Sequence, residues 1–347
     1  MTNTQWTPRI SPLDKEAGKK ATAYIDNLTK PPGSLGRLEK IAAELAAISG
    51  NPFPEVTPAG VLVFAADHGI TEEGVSAFPQ DITAQMARNF LNGGAAINVF
   101  ANQITAEFQL VDIGMKKEAN DKGIISRRIK AGTANFLRED AMTKEEAARS
   151  VQAGFEEAEH LILNKGIKCL ILGEMGIGNT TASSAMIAAF TNKNPSSVTG
   201  PGTGLPPERI LHKQQILHTA LQKREIDTKD PIDVLAKVGG LEIAGITGAM
   251  LAAAANRVPI LVDGFISATA AVTARSISPL AADYMFVGHY STEPGHAIAV
   301  NLLNKKPLLD LEMRLGEGSG AALAFPILRS ACAMVREMAT FDDLETY

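Results

Sequence analysis

The sequence predicts an α/β protein: a parallel sheet flanked by helices, with a small helical domain built from both chain ends. Three observations carry this expectation. Five apolar runs of strand length, Val61–Asp67, Glu107–Gly114, Lys168–Glu174, Val258–Gly264 and Tyr284–His289, each end in polar residues. Continuous apolar runs of this kind belong to parallel strands buried on both faces. Helical patterns alternate with them, which is the order of a parallel, Rossmann-like sheet. Two helices open the chain, Asp14–Thr29 and Ser34–Ser49, divided by Lys30-Pro31-Pro32-Gly33, where the prolines forbid a continuous helix. Thr143–Lys165 carries the clearest helical pattern, with Thr143 and Glu146 spaced as a capping box. Ser319–Ala339 returns to helix and is expected to pack on the N-terminal pair. The expected division is therefore a large domain over 50–318 and a small one from 1–49 and 319–347.

Composition narrows the function classes. The net charge of −5 over 347 residues argues against a nucleic-acid binder, which needs a basic face. The apolar stretches are interrupted by Glu242, Arg257, Asp263 and Arg275, so none is expected to cross a bilayer. The start, MTNTQWTPRISPLDKE, is polar and lacks the apolar core of a signal peptide. Cys169 and Cys332 lie in apolar runs and read as buried thiols in a reducing compartment. The expectation is a cytoplasmic enzyme acting on small molecules, without nucleic-acid or membrane partners.

The most informative segment is Lys168–Ser184, KCLILGEMGIGNTTASS. A strand ends in Glu174, a turn with Gly173, Gly176 and Gly178 follows, and Asn179, Thr180 and Thr181 open a helix. Strand, glycine loop and helix N-terminus together form an anion site, because backbone N–H groups and the helix dipole point at one spot. The spacing from Gly173 to Thr180 is that of a P-loop, but Asn179 stands where the lysine should be. Thr181 occupies the third glycine position of a dinucleotide fingerprint. A phosphate cradle of neither type is expected. Glu174 either stabilises positive charge at a bound sugar or shapes the loop; the electrostatic role is the expectation.

Asp67-His68, Asp112, Glu174, Asp263 and His289 all end strand candidates. Ligands of open parallel sheets bind beyond those ends. Singly, each residue reads as a turn cap; together they suggest one site. A second glycine loop, Thr199–Gly204, precedes a helix carrying Lys213, a candidate counter-charge for phosphate. Glu317 sits between Gly316 and Gly318, as an exposed catalytic carboxylate or as an acid favoured before a helix. Phe78, Gln85 and Met86 surround a helix start and either pack the core or line a pocket for a flat ring. No His pair or Cys cluster has metal-ligand spacing, and Asp227, Asp230 and Asp233 read as caps and solvated turn residues. Neither metal nor cofactor is expected.

KPPGSLGRLE (Lys30–Glu39), FAADHG (Phe64–Gly69), GVSAFPQ (Gly74–Gln80), GEMGIGNTT (Gly173–Thr181), GTGL (Gly202–Leu205), DGFISATAA (Asp263–Ala271), GHYSTEPGH (Gly288–His296) and MRLGEGSGAALA (Met313–Ala324) occur together. This set resembles the nicotinate-nucleotide:5,6-dimethylbenzimidazole phosphoribosyltransferase family over nearly the whole chain. The resemblance implies a homodimer that transfers phosphoribose from nicotinate mononucleotide to a benzimidazole, in cobalamin lower-ligand assembly. It implies that Glu317 is the catalytic base; Glu174, ending a strand just before the phosphate loop, is the second candidate catalytic residue. Gly176, Ile177, Gly178, Asn179 and Thr180 match the phosphate and ribose site. So do Gly202, Thr203, Gly204, Lys213, Gly264, Phe265 and Ser291. Phe78, Gln85, Met86, Met175 and Leu315 fall at the base pocket.

Two other readings compete. A nucleotide-dependent Rossmann oxidoreductase is opposed by the missing third glycine and the missing P-loop lysine. A non-catalytic small-molecule binder is opposed by the presence of both Glu317 and Glu174.

Overall fold

A computed structural model describes residues 8–117 and 121–344. The first seven residues of the polar start and the last three of the C-terminal segment lie outside the described residues. Six strands form one parallel sheet: β1 (Ala59–Ala66), β2 (Glu107–Gly114), β3 (Ile124–Ser126), β4 (Cys169–Met175), β5 (Ile260–Val262) and β6 (Met285–Val287). Their order is β3-β2-β1-β4-β5-β6. The chain winds outward from β1 to β3, then crosses to β4 and winds the other way. The switch point between β1 and β4 is where sheets of this order open a binding crevice.

The strands are apolar because both faces are covered. Every residue of β1 is buried, and β4 is buried up to Glu174. Strand β3 was not anticipated: it has three half-exposed or exposed residues and no apolar run to announce it. The expected strands at Val258–Gly264 and Tyr284–His289 shrink to three paired residues each, because their polar ends turn out into loops.

Thirteen helices accompany the sheet in the described residues. Helices α1 (Lys15–Asp26) and α2 (Arg37–Ser49) precede it. The Lys30–Gly33 break separates them, and the buried Lys30 pairs with Glu39 at 2.8 Å. Helices α3 (Ile82–Leu91) and α4 (Ala96–Gln103) join β1 to β2. Helix α5 (Lys144–Lys165) starts at the expected capping box: Glu146 N–H donates to Thr143 Oγ1 at 3.1 Å, and Thr143 N–H to Glu146 Oε2 at 2.8 Å. Next come α6 (Asn179–Thr191), α7 (Pro207–Lys223), α8 (Pro231–Val238) and α9 (Leu241–Ala255). The chain ends with α10 (Phe265–Ile277), α11 (Pro294–Leu303), α12 (Ser319–Glu337) and α13 (Phe341–Leu344). No helix among the described residues is long and apolar enough to cross a membrane.

Helix α9 is apolar all round and buried along its length, packed between α5, α10 and the sheet. Helix α12 packs against β4 and β5 on one side and α2 on the other. The chain ends thus meet on α12, which begins at the cavity described next. Of the acidic trio, Asp230 caps α8 through Ile232 N–H at 3.0 Å and Asp227 accepts from Lys229 N–H at 3.0 Å. Asp233 departs from the solvated expectation. It is buried, accepting from Asp227 N–H and pairing with Lys144.

Candidate active site

A cavity of about 650 Å³ opens beyond the carboxyl ends of β4, β5 and β6. That is the size of a small-molecule pocket. The strand ends divide into two sets. Glu174, Asp263 and His289 line the cavity. Asp67 and Asp112 instead hold turns: Asp67 accepts from Lys116 N–H at 2.7 Å, and Asp112 from Gly114 and Met115 at 3.0 and 2.8 Å. His68 is wholly buried against Glu242, with Nε2 2.6 Å from Oε1. The turn after β1, where a dinucleotide fingerprint would stand, is a short 3-10 helix over Gly69–Glu73.

Two helix N-termini converge on one end of the cavity. Helix α6 begins after Gly178, and Gly176, Ile177, Asn179 and Thr180 line the wall. Helix α10 begins after Gly264, and Gly264, Phe265, Ile266 and Ser267 line it from β5. First-turn N–H groups lack intrahelical acceptors, and the dipoles add positive potential, so this end suits an anion. The glycine loop also braces itself. Ile177 N–H donates to Thr83 Oγ1 at 3.2 Å, and Asn179 N–H to Gly176 O at 3.1 Å. The buried hydroxyl-bearing Ser291 completes this end.

Lys213 does not line the cavity. It is wholly buried behind the wall, and its Nζ donates to Thr180 Oγ1 at 3.0 Å. Holding that oxygen as an acceptor leaves the Thr180 hydroxyl proton free to turn toward a ligand. Burial pushes the Lys213 ammonium down to about 8, opposed by the nearby Glu293 carboxyl. Glu293 in turn accepts Gly202 N–H at 2.9 Å, and Arg314 donates to Gly202 O at 3.2 Å. The second glycine loop is therefore clamped from both its N–H and C=O. Gly202 and Thr203 line the cavity, whereas Gly178 and Gly204 are not part of the lining.

Carboxyl groups gather beside the α6 and α10 helix starts. Glu174 Oε2 accepts from Asn179 Nδ2, and Glu174 Oε1 from the backbone N–H of Glu317 at 3.3 Å. Burial pushes Glu174 up to about 8, with the Glu242, Asp263 and Glu317 carboxyl groups adding to the rise. The Glu317 N–H bond opposes that rise. Glu174 thus ties the start of α6 to the Glu317 turn. Burial raises Glu317 too, opposed by a hydrogen bond from Ile97 N–H in the first turn of α4. Its Oε2 has no hydrogen-bond partner among the described residues. Two glycines make room for this turn. A Cβ on Gly173 would stand 2.0 Å from Glu317 O, and one on Gly316 2.2 Å from Glu174 Oε1.

An apolar wall completes the lining. Phe78, Ile82, Met86, Met175 and Leu315 line it, and Phe78 and Leu315 remain half exposed at the rim. Thr203 fixes the Phe78 loop by accepting Ala77 N–H at 3.0 Å, and Arg209 donates to Gly74 O at 2.6 Å. Gln85 is exposed on α3 and does not line the cavity.

The cavity includes residues that the sequence analysis did not place in a site: Ile82, Ile266, Ser267, Glu293 and Arg314. Some signals were present. Glu293 precedes a Pro-started helix, and Arg314 stands three residues before Glu317. Ile82 and Ser267 carried no signal beyond helical spacing. Among the described residues, no group of three or more His, Cys, Asp or Glu side chains is placed to hold a metal ion.

A family model described as phosphoribosyltransferase matches residues 10–345. The chain is 49% identical over 333 residues to the nicotinate-nucleotide–dimethylbenzimidazole phosphoribosyltransferase of Halalkalibacterium halodurans, covering 96% of this chain and 93% of that protein. It is 47% identical over 341 residues to the protein of the same name from Geobacter sulfurreducens, covering 98% and 97%. The solved structure of CobT from Thermus thermophilus superposes with a TM-score of 0.91 at 43% identity, covering 95% of this chain and 98% of that one. With the cavity, the sheet order and these matches all spanning the same length of sequence, the chain belongs to the nicotinate-nucleotide–dimethylbenzimidazole phosphoribosyltransferase family.

Proposed function

We propose that this chain transfers the phosphoribosyl group of nicotinate mononucleotide to 5,6-dimethylbenzimidazole. The products are α-ribazole 5′-phosphate and nicotinate, formed with inversion at the anomeric carbon, in cobalamin lower-ligand assembly. One observation carries the reading. A single cavity is lined by two helix N-termini, a buried glutamate with a free oxygen and an apolar wall.

The 5′-phosphate docks where α6 and α10 begin, held by backbone N–H groups, the Thr180 hydroxyl and Ser291. Lys213 acts from behind Thr180. The benzimidazole lies on the wall of Phe78, Met86, Met175 and Leu315. One ring nitrogen attacks the ribose anomeric carbon as the bond to the nicotinate nitrogen breaks. The other ring nitrogen gives its proton to Glu317 Oε2. The leaving ring departs from a cationic pyridinium and takes the bonding pair as a neutral nitrogen. Attack from the opposite face turns the β linkage into an α one. Burial raises the basicity of Glu317, which suits a general base working near neutral pH. Fixing the phosphate orients the reacting carbon and supplies the entropic part of the acceleration.

We also propose a homodimer and a cytoplasmic location. The family resemblance supports the first, and two buried free cysteines fit a reducing compartment. A large α/β domain over 50–318 and a small helical one from both ends complete the proposal, supported by the packing of α1 and α2 on each other and on α12. The deciding experiment incubates the protein with nicotinate mononucleotide and dimethylbenzimidazole and identifies the product by mass and anomeric NMR coupling. A product with the α linkage is expected. No turnover, or turnover only with an added nicotinamide dinucleotide, would sink the reading.

A further inference from the structure

Glu317 stands on a turn that the local chain does not stabilise by itself. Its φ is +65°, the left-handed region that disfavours residues with side chains. Such conformations persist only where surrounding groups hold them. The holding groups come from other strands. Glu174 at the end of β4 takes the Glu317 N–H. Asp263, which follows β5, takes the next part of the turn with both oxygens. Its Oδ2 accepts Gly318 N–H at 3.2 Å, and its Oδ1 accepts Ala321 N–H at 2.9 Å. Gly318 is the N-cap residue of α12 and Ala321 lies in its first turn. Helices usually receive this cap from the preceding side chain. Here no side chain of the N-cap residue can supply it, because that residue is glycine. A carboxyl group 58 residues earlier in the chain does so instead. Asp263 is 2% exposed, and His289 Nε2 stands 3.6 Å from its Oδ1.

We infer that Asp263 is a positioning residue for Glu317, its two oxygens fixing the first turn of α12 and so setting where the Glu317 carboxyl group meets the acceptor base. The inference rests on the reading of Glu317 as the general base. The geometry gives Asp263 a job distinct from binding the donor. Both of its oxygens are already occupied by backbone N–H groups of the Glu317 turn. Replacing it with asparagine puts an NH₂ group against one of those N–H donors and releases one end of the turn. A small displacement of a reacting group costs up to about a hundredfold in rate.

The test measures kcat, donor affinity and melting temperature for Asp263→Asn, Asp263→Ser and Glu317→Gln. Nicotinate mononucleotide is titrated calorimetrically, and kcat is expressed per occupied donor site. For the two Asp263 variants, kcat is expected to fall about tenfold to a hundredfold with donor Kd within about threefold of wild type. A crystal structure of Asp263→Asn is expected to show the Glu317 carboxyl group displaced while β5 and α10 stay in place. Unchanged kcat in the Asp263 variants, with Glu317→Gln inactive, overturns the positioning role and leaves the base reading intact. Loss of donor affinity in step with kcat overturns it in favour of direct donor binding. Failure of both Asp263 variants to fold overturns it in favour of a role in stability. Near-wild-type kcat in Glu317→Gln defeats the base reading itself.

Discussion

Glu174 Oε1 accepts the backbone N–H of Glu317 at 3.3 Å, joining residues 143 positions apart. The end of β4 and the start of α12 meet at this bond. Gly173 and Gly316 flank it, and neither position has room for a Cβ. The same carboxyl group holds Asn179 at the start of α6. One side chain therefore links the start of α6 to the turn that holds Glu317.

This linkage sets the expectation for Glu174. Glutamine keeps the acceptor for the Glu317 N–H and can give its NH₂ to the Asn179 amide oxygen once that amide turns over, whereas alanine removes both acceptors. Leaving a buried N–H without a partner costs about 1–3 kcal/mol. Glu174→Ala is expected to lose a few degrees of melting temperature and weaken donor binding, while Glu174→Gln keeps most of both. The pH dependence has a definite sign. Between its ordinary value of 4.5 and about 8, the folded chain holds a proton that the unfolded chain has lost. Stability therefore falls as pH rises through that window, and Glu174→Gln should flatten the fall. Calorimetric melting across this range checks it; a Gln variant as damaged as the Ala variant would show that the anion is required.

Glu317→Gln is expected to lower kcat by about a hundredfold or more, the usual worth of a positioned general base. Donor affinity should stay within about threefold, since the glutamine keeps the shape of the turn. Steady-state kinetics beside calorimetric titration of nicotinate mononucleotide separates the two. A kcat within a few-fold of wild type would remove Glu317 from the base role.

Lys213→Ala is expected to weaken nicotinate mononucleotide more than dimethylbenzimidazole. The loss should run through Thr180, so Thr180→Val should show part of the same effect. The ammonium is charged below about 8 and neutral above it. Donor affinity of the wild type should therefore fall as pH rises through 8, and the Lys213→Ala variant should lack that limb. Equal weakening of both ligands would mean that Lys213 serves only packing.

Gly173→Ala should damage activity without unfolding the sheet. The added Cβ would stand 2.0 Å from Glu317 O, so the Glu317 turn must move. A loss in kcat of about tenfold or more is expected, as for other small displacements of a reacting group. Wild-type kcat in a folded Gly173→Ala variant would show that the turn tolerates the shift.

Activity should survive exhaustive EDTA treatment. The leaving group is already a cationic ring and needs no Lewis acid to depart. In the proposed pose the phosphate sits at helix N-termini, which grip anions without a metal. Loss of turnover restored by Mg²⁺ or Zn²⁺ would contradict this.

The sequence by itself determined five of the six strands and the two glycine loops. The runs at Val61–Asp67 and Lys168–Glu174 were legible because a strand buried on both faces must be apolar throughout. The α6 cradle was legible because glycines, strand and helix start are contiguous in sequence. Only the tertiary structure decided which strand ends meet. Asp67 and Asp112 look like Glu174 and Asp263 in sequence, yet β1 and β2 end in turns that consume their carboxyl groups. Lys213 looked like a direct phosphate partner, but it is buried behind Thr180 and does not line the cavity. Gln85 and Met86 are neighbours, and helical geometry turns one to solvent and the other to the cavity. The raised pKa of Glu174 was likewise invisible, since it arises from burial and from carboxyl groups at positions 242, 263 and 317. Local pattern fixes secondary structure, but burial and charge proximity are sums over the whole fold, and those sums set the chemistry of this site.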